Sequence, residues 1–397
     1  MDCFNVSGLV NRAKIIVSIP SVKILIIASL AESLINFRGP LIAALQTKGL
    51  DVHVAAPDIP ANSTMCLQLQ SMGLSVHQVF MSRTGTNPLA DLRTAWALWR
   101  LMRKITPSMV LCYTIKPVIY GTLAASLAGV PKRFVLVTGL GYAFQGGVQR
   151  SRLQGLVQSL YGFSLARAQR VFFQNPDDLA LFQERGILRS HTPVCVVNGS
   201  GVDVASFAVK PLPVAALTGA VRFLFIGRLL GDKGVREYAQ AARLLKHSHP
   251  QVQCALVGWI DSNPNAISQA ELTAWVADGS IEFLGRLADV RPAIEACSVY
   301  VLPSYREGTP RTVLEAMAMG RAIVTTDAPG CRETVVHGEN GFLVPVQNVE
   351  ALVQTMRRFI DEPDLQQQMG VRSRQLIEDK YDVHKVNAVM LAGMGLE

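Results

Sequence analysis

From Lys23 onward the chain repeats one alternation: a short apolar, β-branched run, then roughly 10 to 20 residues with helical spacing. The first series is KILIIAS, DVHVAAP, LSVHQVF, SMVLCYT, RFVLVT, RVFFQ and PVCVVN; the second is VRFLFIG, QVQCALVG, SIEFLG, SVYVLP, RAIVTT and NGFLVP. Strands that are apolar throughout, rather than at every second residue, must be covered on both faces, and helices between them make the sheet parallel. The two series part at Asn198 to Gly219, where Gly and Pro accumulate and no period survives. The expectation is an α/β protein with two doubly wound parallel sheets. A length of 397 residues, 49% hydrophobic and 17% charged, suits two buried cores.

Doubly wound sheets bind ligands beyond the carboxyl ends of their strands. The loop that stands out there is in VLPSYREGTPRTVLEAMAMG, residues 301–320, which reads as a buried strand, a polar turn and a short helix. Thr309 suits the N-cap, Pro310 the first helical position and Gly320 the stop. The free N–H groups of Arg311, Thr312 and Val313 then point past the strand end with the positive end of the helix dipole, which favours an anion. Glu307 and Glu315 frame that spot, so phosphate joined to sugar is the implied ligand.

The segment EGTPRTVLE resembles the E-x7-E donor-site motif of family 4 glycosyltransferases. The resemblance implies the GT-B fold, with two such domains facing across a cleft and the last helix crossing back to the first. It implies Glu307 at the hydroxyls of the transferred sugar and Glu315 on the ribose of a nucleotide. In FIGRLLGDKG, Arg228 and Lys233 match the family's pair of cations on the donor diphosphate, and Gly227, Gly231 and Gly234 permit close backbone approach. Arg286 of FLGRLAD falls where the family lines its base pocket. The expected organisation is an extension at 1–22, an acceptor domain at 23–205, a donor domain at 206–378 and a return helix at 379–397, with DVHKVNAVMLAGMGLE at its heart.

The first domain departs from the family in places. Where members often carry a Gly-rich turn, LAESLINFRGP has Asn36, Phe37, Arg38 and Gly39, and Arg38 reads either as a phosphate ligand or as a cap for a neighbouring element. Cys112, Tyr113 and Thr114 stand where many members have a His. CYTIKPVIYG, with Lys116 expected at the cleft rim, and VTGLGYAF, with Thr138, resemble a subgroup acting on undecaprenyl-diphosphate sugars in bacterial polysaccharide assembly. Asn36, Arg38, Lys116 and Thr138 are thus the expected acceptor side. QNPDDLALF and NGSGVD also resemble family segments; Asp177 and Asp178 read there as acids favoured by a helix start.

Residues 1–200 carry 19 Lys and Arg against 8 acids, a balance of +11, whereas 201–397 carry 19 against 22, a balance of −3. A half that basic suits an anionic partner. PLADLRTAWALWRLMRK, residues 88–104, either lays Trp96 and Trp99 in an anionic membrane interface or packs them on its own sheet. The apolar run Ile15 to Leu30 is broken by Pro20 and Lys23, and no spanning helix is expected. Seven Cys are scattered without C-x-x-C spacing, as in a reducing compartment, and D-x-D is absent from the whole sequence, so neither metal nor cofactor is expected.

Together these readings imply a retaining transferase that moves a sugar, an N-acetylhexosamine, from a UDP-sugar to an undecaprenyl-diphosphate saccharide, from the cytoplasmic side of the bacterial plasma membrane. A UDP-sugar 2-epimerase shares the two-domain fold but not E-x7-E. A polyanion-binding or nucleic-acid-binding protein would need a recognition motif, and none is present.

Overall fold

The computed structural model describes residues 22–82, 87–140, 152–213 and 221–396. Of the N-terminal extension only Val22 is among them; residues 141–144 of VTGLGYAF and 214–219 of the expected boundary lie outside the described residues.

Seven parallel strands form the first sheet: β1 (Lys23–Ile27), β2 (Asp51–Ala56), β3 (Ser75–Gln78), β4 (Met109–Tyr113), β5 (Lys132–Val137), β6 (Arg170–Phe173) and β7 (Val194–Val196), in the order β3-β2-β1-β4-β5-β6-β7. Six form the second: β8 (Arg222–Arg228), β9 (Gln253–Trp259), β10 (Glu282–Gly285), β11 (Val299–Leu302), β12 (Ala322–Thr326) and β13 (Gly341–Val344), in the order β10-β9-β8-β11-β12-β13. Each order reverses beside the sheet's first strand, at β1/β4 and at β8/β11, and those switch points are where such sheets leave a crevice. The expected GT-B architecture is what the chain adopts.

Why the strands lack alternation is plain in β1. Ile24 and Ile26 enter one core with Leu34, Leu41 and Leu69, while Leu25 and Ile27 enter another with Leu98, Met102 and Val135. All four are 0% exposed, so neither face tolerates a polar residue. Val383–Met394 is the last helix, and it returns to the first sheet: Met390, Leu391 and Met394 join its core, and Gly393 lies so close to Phe172 that any side chain would collide. Two arginines hold the chain between the sheets. Arg321, fully buried, donates to the carbonyls of Ile294, Glu295, Lys210 and Pro211, and Arg374 to those of Val204, Phe207 and Ala318.

The helix Pro88–Ile105 removes one of its two readings, that of aromatics packed on the sheet. Asn87 caps it, its Oδ1 accepting from the Leu89 and Ala90 N–H groups at 3.0 and 3.3 Å. The face it buries carries Asp91, Thr94, Leu98, Met102 and Ile105. Leu89, Leu92, Trp96 and Trp99 face outward at 78, 67, 55 and 37% exposure, so the aromatics do not pack on the sheet. Asp91 can be buried because Lys116 and the Tyr120 hydroxyl hold its two oxygens, at 2.7 and 2.8 Å. Among the described residues no helix is long and apolar enough to cross a membrane.

Candidate active site

Between the domains lies a cleft of about 390 Å³, with Asn36 and Phe37 on one side and Gly227, Arg228, Arg286, Arg311, Thr312 and Glu315 on the other. The second group comes from the carboxyl ends of β8, β10 and β11, at the switch point of the second sheet.

The helix in E-x7-E spans Arg311–Ala318 and begins one residue later than its sequence suggests. Pro310, in an extended conformation, is the N-cap, and its carbonyl accepts from the Val313 N–H at 3.1 Å. Val313 is therefore not a free donor; the amides of Arg311 and Thr312 are the ones without a backbone or side-chain acceptor among the described residues. Thr309 does not cap, because its hydroxyl donates instead to the Gln174 carbonyl of the first domain at 2.9 Å. Gly320, at φ +77°, ends the helix as expected, its N–H bonding the Met317 carbonyl. Behind the helix start the buried Tyr300 hydroxyl sits 2.6 Å from Thr312 Oγ1 and 3.1 Å from the Ile226 carbonyl, pinning helix to strand.

Glu315 is 7% exposed, and Arg311 donates to it from Nε at 2.8 Å. Burial pushes its carboxyl above the ordinary value, and Arg311 opposes that shift. Glu307 is ion-paired with Lys233, and its N–H donates to the Pro329 carbonyl at 2.9 Å. Arg228 pairs with Asp261 at 3.1 Å. Both cations expected on a diphosphate are thus oriented by carboxylates, but only Arg228 lines the cleft; Lys233 and its partner Glu307 are not part of that lining. Arg286 lies over the Trp259 ring at 4.6 Å, and both residues line the cleft together with 287–290 of the same loop.

The glycines divide. Gly227 lines the cleft, but a Cβ at Gly231 would strike Arg236 and Asn265, and one at Gly234, at φ +70°, would strike the Pro303 carbonyl. The last two serve the protein's own packing rather than the approach of a ligand.

On the first domain, Arg38 is 3% exposed and lies over the Tyr113 ring at 5.1 Å. Its Nε has no hydrogen-bond partner, and it makes no capping bond to the Gly39–Thr47 helix that it precedes. Burial pushes its guanidinium down to about 10, with nearby Arg311 acting in the same direction. Lys116, by contrast, is spoken for: its ammonium is largely buried against Asp91 and is neither a free group at the rim nor a solvated amine. Thr138 does not line the cleft; its carbonyl lies against Gly308, next to Glu307, with no room for a side chain there. Asp177 and Asp178 do more than favour a helix start, since they pair with Arg332 and Arg306 of the second domain. Asp261, Trp259 and Tyr300 were not singled out in the sequence; each is set by its partner in space, without a local signal.

Two family models match consecutive parts of the chain: "Glycosyl transferase 4-like" over residues 23–175 and "Glycosyl transferases group 1" over 220–362. The chain belongs to this family of glycosyltransferases. Among curated relatives, it is similar to the N,N'-diacetylbacillosaminyl-diphospho-undecaprenol α-1,3-N-acetylgalactosaminyltransferase of Campylobacter jejuni, 28% identical over 86% of this chain and 90% of that one. It is also similar to the UDP-Gal:α-D-GlcNAc-diphosphoundecaprenol α-1,3-galactosyltransferase of Escherichia coli, 25% identical over 69% of this chain and 72% of the other. Among solved structures, Anabaena HepE in complex with UDP aligns with a TM-score of 0.73 at 18% identity, covering 94% of this chain and all of that one. For this glycosyltransferase the epimerase and polyanion-binding readings have no support. Among the described residues no group of three His, Cys, Asp or Glu side chains is arranged to hold a metal ion.

Proposed function

We propose that this glycosyltransferase moves an N-acetylhexosamine, with retention, from a UDP-sugar to an undecaprenyl-diphosphate-linked saccharide, without a metal, while docked on an anionic membrane. The observation that carries the donor half is the helix start at Arg311: two amides without acceptors among the described residues, in a cleft that Arg228 and Glu315 also line, with the Lys233–Glu307 pair outside that lining, on the loops after β8 and β11. Breaking the bond from C1 to the phosphate oxygen leaves its electron pair, and hence negative charge, on the diphosphate. Fixed donors and cations aimed at that charge stabilise the transition state because they need not reorganise. The acceptor oxygen bonds to C1 from the same face, and its proton passes to the departing diphosphate oxygen. In this reading Arg228 and Lys233 take the place of a divalent ion, Glu307 positions the sugar and Glu315 accepts from the ribose.

The acceptor half rests on the relatives that act on diphosphoundecaprenol saccharides and on Arg38. An arginine buried without a carboxylate is costly to keep. A phosphate oxyanion reaching Arg38 from the adjoining cleft, which Asn36 and Arg311 line, would satisfy its unpartnered Nε. Lys116 has no part in it.

Membrane docking is supported by the outer face of Pro88–Ile105. Leu89, Leu92 and Trp96 are exposed there, Arg100 lies over Trp96, and Arg93 lies over the exposed Phe80 ring. Aromatics and cations share one surface, as an interfacial helix on anionic lipid requires. The proposed location is the cytoplasmic face of the bacterial plasma membrane, where nucleotide sugars meet lipid-linked acceptors.

A panel of nucleotide sugars against synthetic lipid-diphosphate saccharides, with linkage analysis of the product, tests the reading. The expected product carries an α-linked N-acetylhexosamine donated by its UDP derivative. Transfer only from nucleotides other than UDP, or a product of inverted configuration, would overturn it.

A further inference from the structure

The loop that carries Glu307 is gripped from both domains. Within its own domain, Glu307 donates its N–H to Pro329 and its carboxylate takes Lys233. From the first domain, just past β6, Asn175 Nδ2 donates to the Gly308 carbonyl at 2.7 Å and to that of Glu307 itself at 3.4 Å. The same Asn175 side chain accepts from the Asp178 N–H at 2.7 Å, capping the helix Pro176–Glu184. Asp178, 0% exposed, forms an ion pair with Arg306, the residue immediately before Glu307.

This pair is an expensive way to join two domains. Asp178 Oδ2 and Arg306 Nε are both buried without a partner, so the ions are only half satisfied. Burial pushes the Asp178 carboxyl above its ordinary value despite Arg306. Buried ion pairs of that kind contribute little net stability. What the pair does supply is position, because its two ends belong to different domains and meet only when those domains are together. A displacement of about 1 Å at a reacting centre costs on the order of 100-fold in rate, so position at this loop matters.

We propose that Asp178, Arg306 and Asn175 are positioning residues that set Glu307 in place only on domain closure, so that the sugar is held for transfer and the cleft shut in one event. This rests on the reading of Glu307 as the sugar-side residue. None of the three needs to touch the donor nucleotide.

The test uses the full-length chain with Asp178→Asn and Arg306→Gln, and with Arg306→Lys as the conservative replacement. Calorimetry with UDP, steady-state kinetics with the transferred donor, and amide hydrogen exchange over residues 304–309 are compared with wild type. Expected are kcat lowered at least tenfold in the first two variants, UDP affinity within twofold, faster exchange in that segment, and partial recovery of both in Arg306→Lys. A merely structural pair would lower the unfolding temperature and leave kcat and segment exchange as they are; that outcome overturns the proposal. If wild type transfers no sugar from any UDP donor, the reading of the active site fails instead, and the exchange measurement still decides this one: unchanged protection in Asp178→Asn and Arg306→Gln overturns it.

Discussion

Arg311 Nε donates to Glu315 Oε1 at 2.8 Å, one turn up the same helix, while its guanidinium lies 5.6 Å from the ring of Phe37 in the opposite domain. One side chain thus orients Glu315, the glutamate proposed to hold the ribose, and lies against Phe37 in the segment after β1. Because Glu315 is buried, its charge depends on that arginine, and this makes it sensitive to pH.

The sign follows from the burial. Desolvation raises the Glu315 carboxyl above 4.5, so on acidification it takes up a proton earlier than an exposed glutamate would. A protonated carboxyl offers the ribose a weaker acceptor. The ratio of UDP affinities, wild type over Glu315→Gln, should therefore be largest near neutral pH and fall toward one as pH drops through that raised value. Phosphate titration is common to both proteins and cancels in the ratio. A ratio flat from neutrality down to pH 4.5 would contradict the assignment.

The proposed metal independence gives a second expectation. With Arg228 oriented by Asp261 and Lys233 by Glu307, turnover in excess EDTA should equal turnover without it if the two cations serve the diphosphate as proposed. Arg228→Ala and Lys233→Ala should each lower kcat by about 100-fold, the scale for removing one preorganised partner of developing charge. Restoration of an EDTA-inactivated enzyme by Mg2+ or Mn2+ would contradict it.

Binding to vesicles checks the outer face of Pro88–Ile105. Association with anionic vesicles should weaken with salt, and each of Arg93→Glu, Arg100→Glu and Lys104→Glu should cost about 1 kcal/mol or more. Trp96→Ala should weaken binding with less change in its salt dependence. Equal binding to neutral vesicles, or none to either kind, would remove the membrane from the account.

Much of the fold was legible in the sequence because both sheets are buried on two faces, which leaves long apolar runs, and because punctuation such as Gly320 is local. The sequence left the helix Pro88–Ile105 open between two readings for a physical reason: Leu89, Leu92 and Trp96 suit an inside as well as Leu98, Met102 and Ile105 do, and the side that turns inward also carries Asp91, neutralised by Lys116 from 25 residues away. Thr309 has the preference of an N-cap, and a tertiary acceptor at Gln174 overrides it. Glu307 and Glu315 could be found by spacing, since one short segment carries both. Asp261 under Arg228 and Asp178 under Arg306 could not, because a pair 33 or 128 residues apart leaves no trace in spacing.

The division of labour between Glu307 and Glu315 is the centre of the account, and UDP calorimetry beside donor kinetics tests it most directly. Glu315→Gln should weaken UDP, since a charge-assisted hydrogen bond worth about 1.5 to 3 kcal/mol becomes a neutral one. Glu307→Gln should leave UDP affinity within about twofold and lower kcat by about 100-fold, its partner being the sugar that UDP lacks. If Glu307→Gln, with its fold intact, loses UDP as severely as Glu315→Gln, the two residues do not divide the donor in this way.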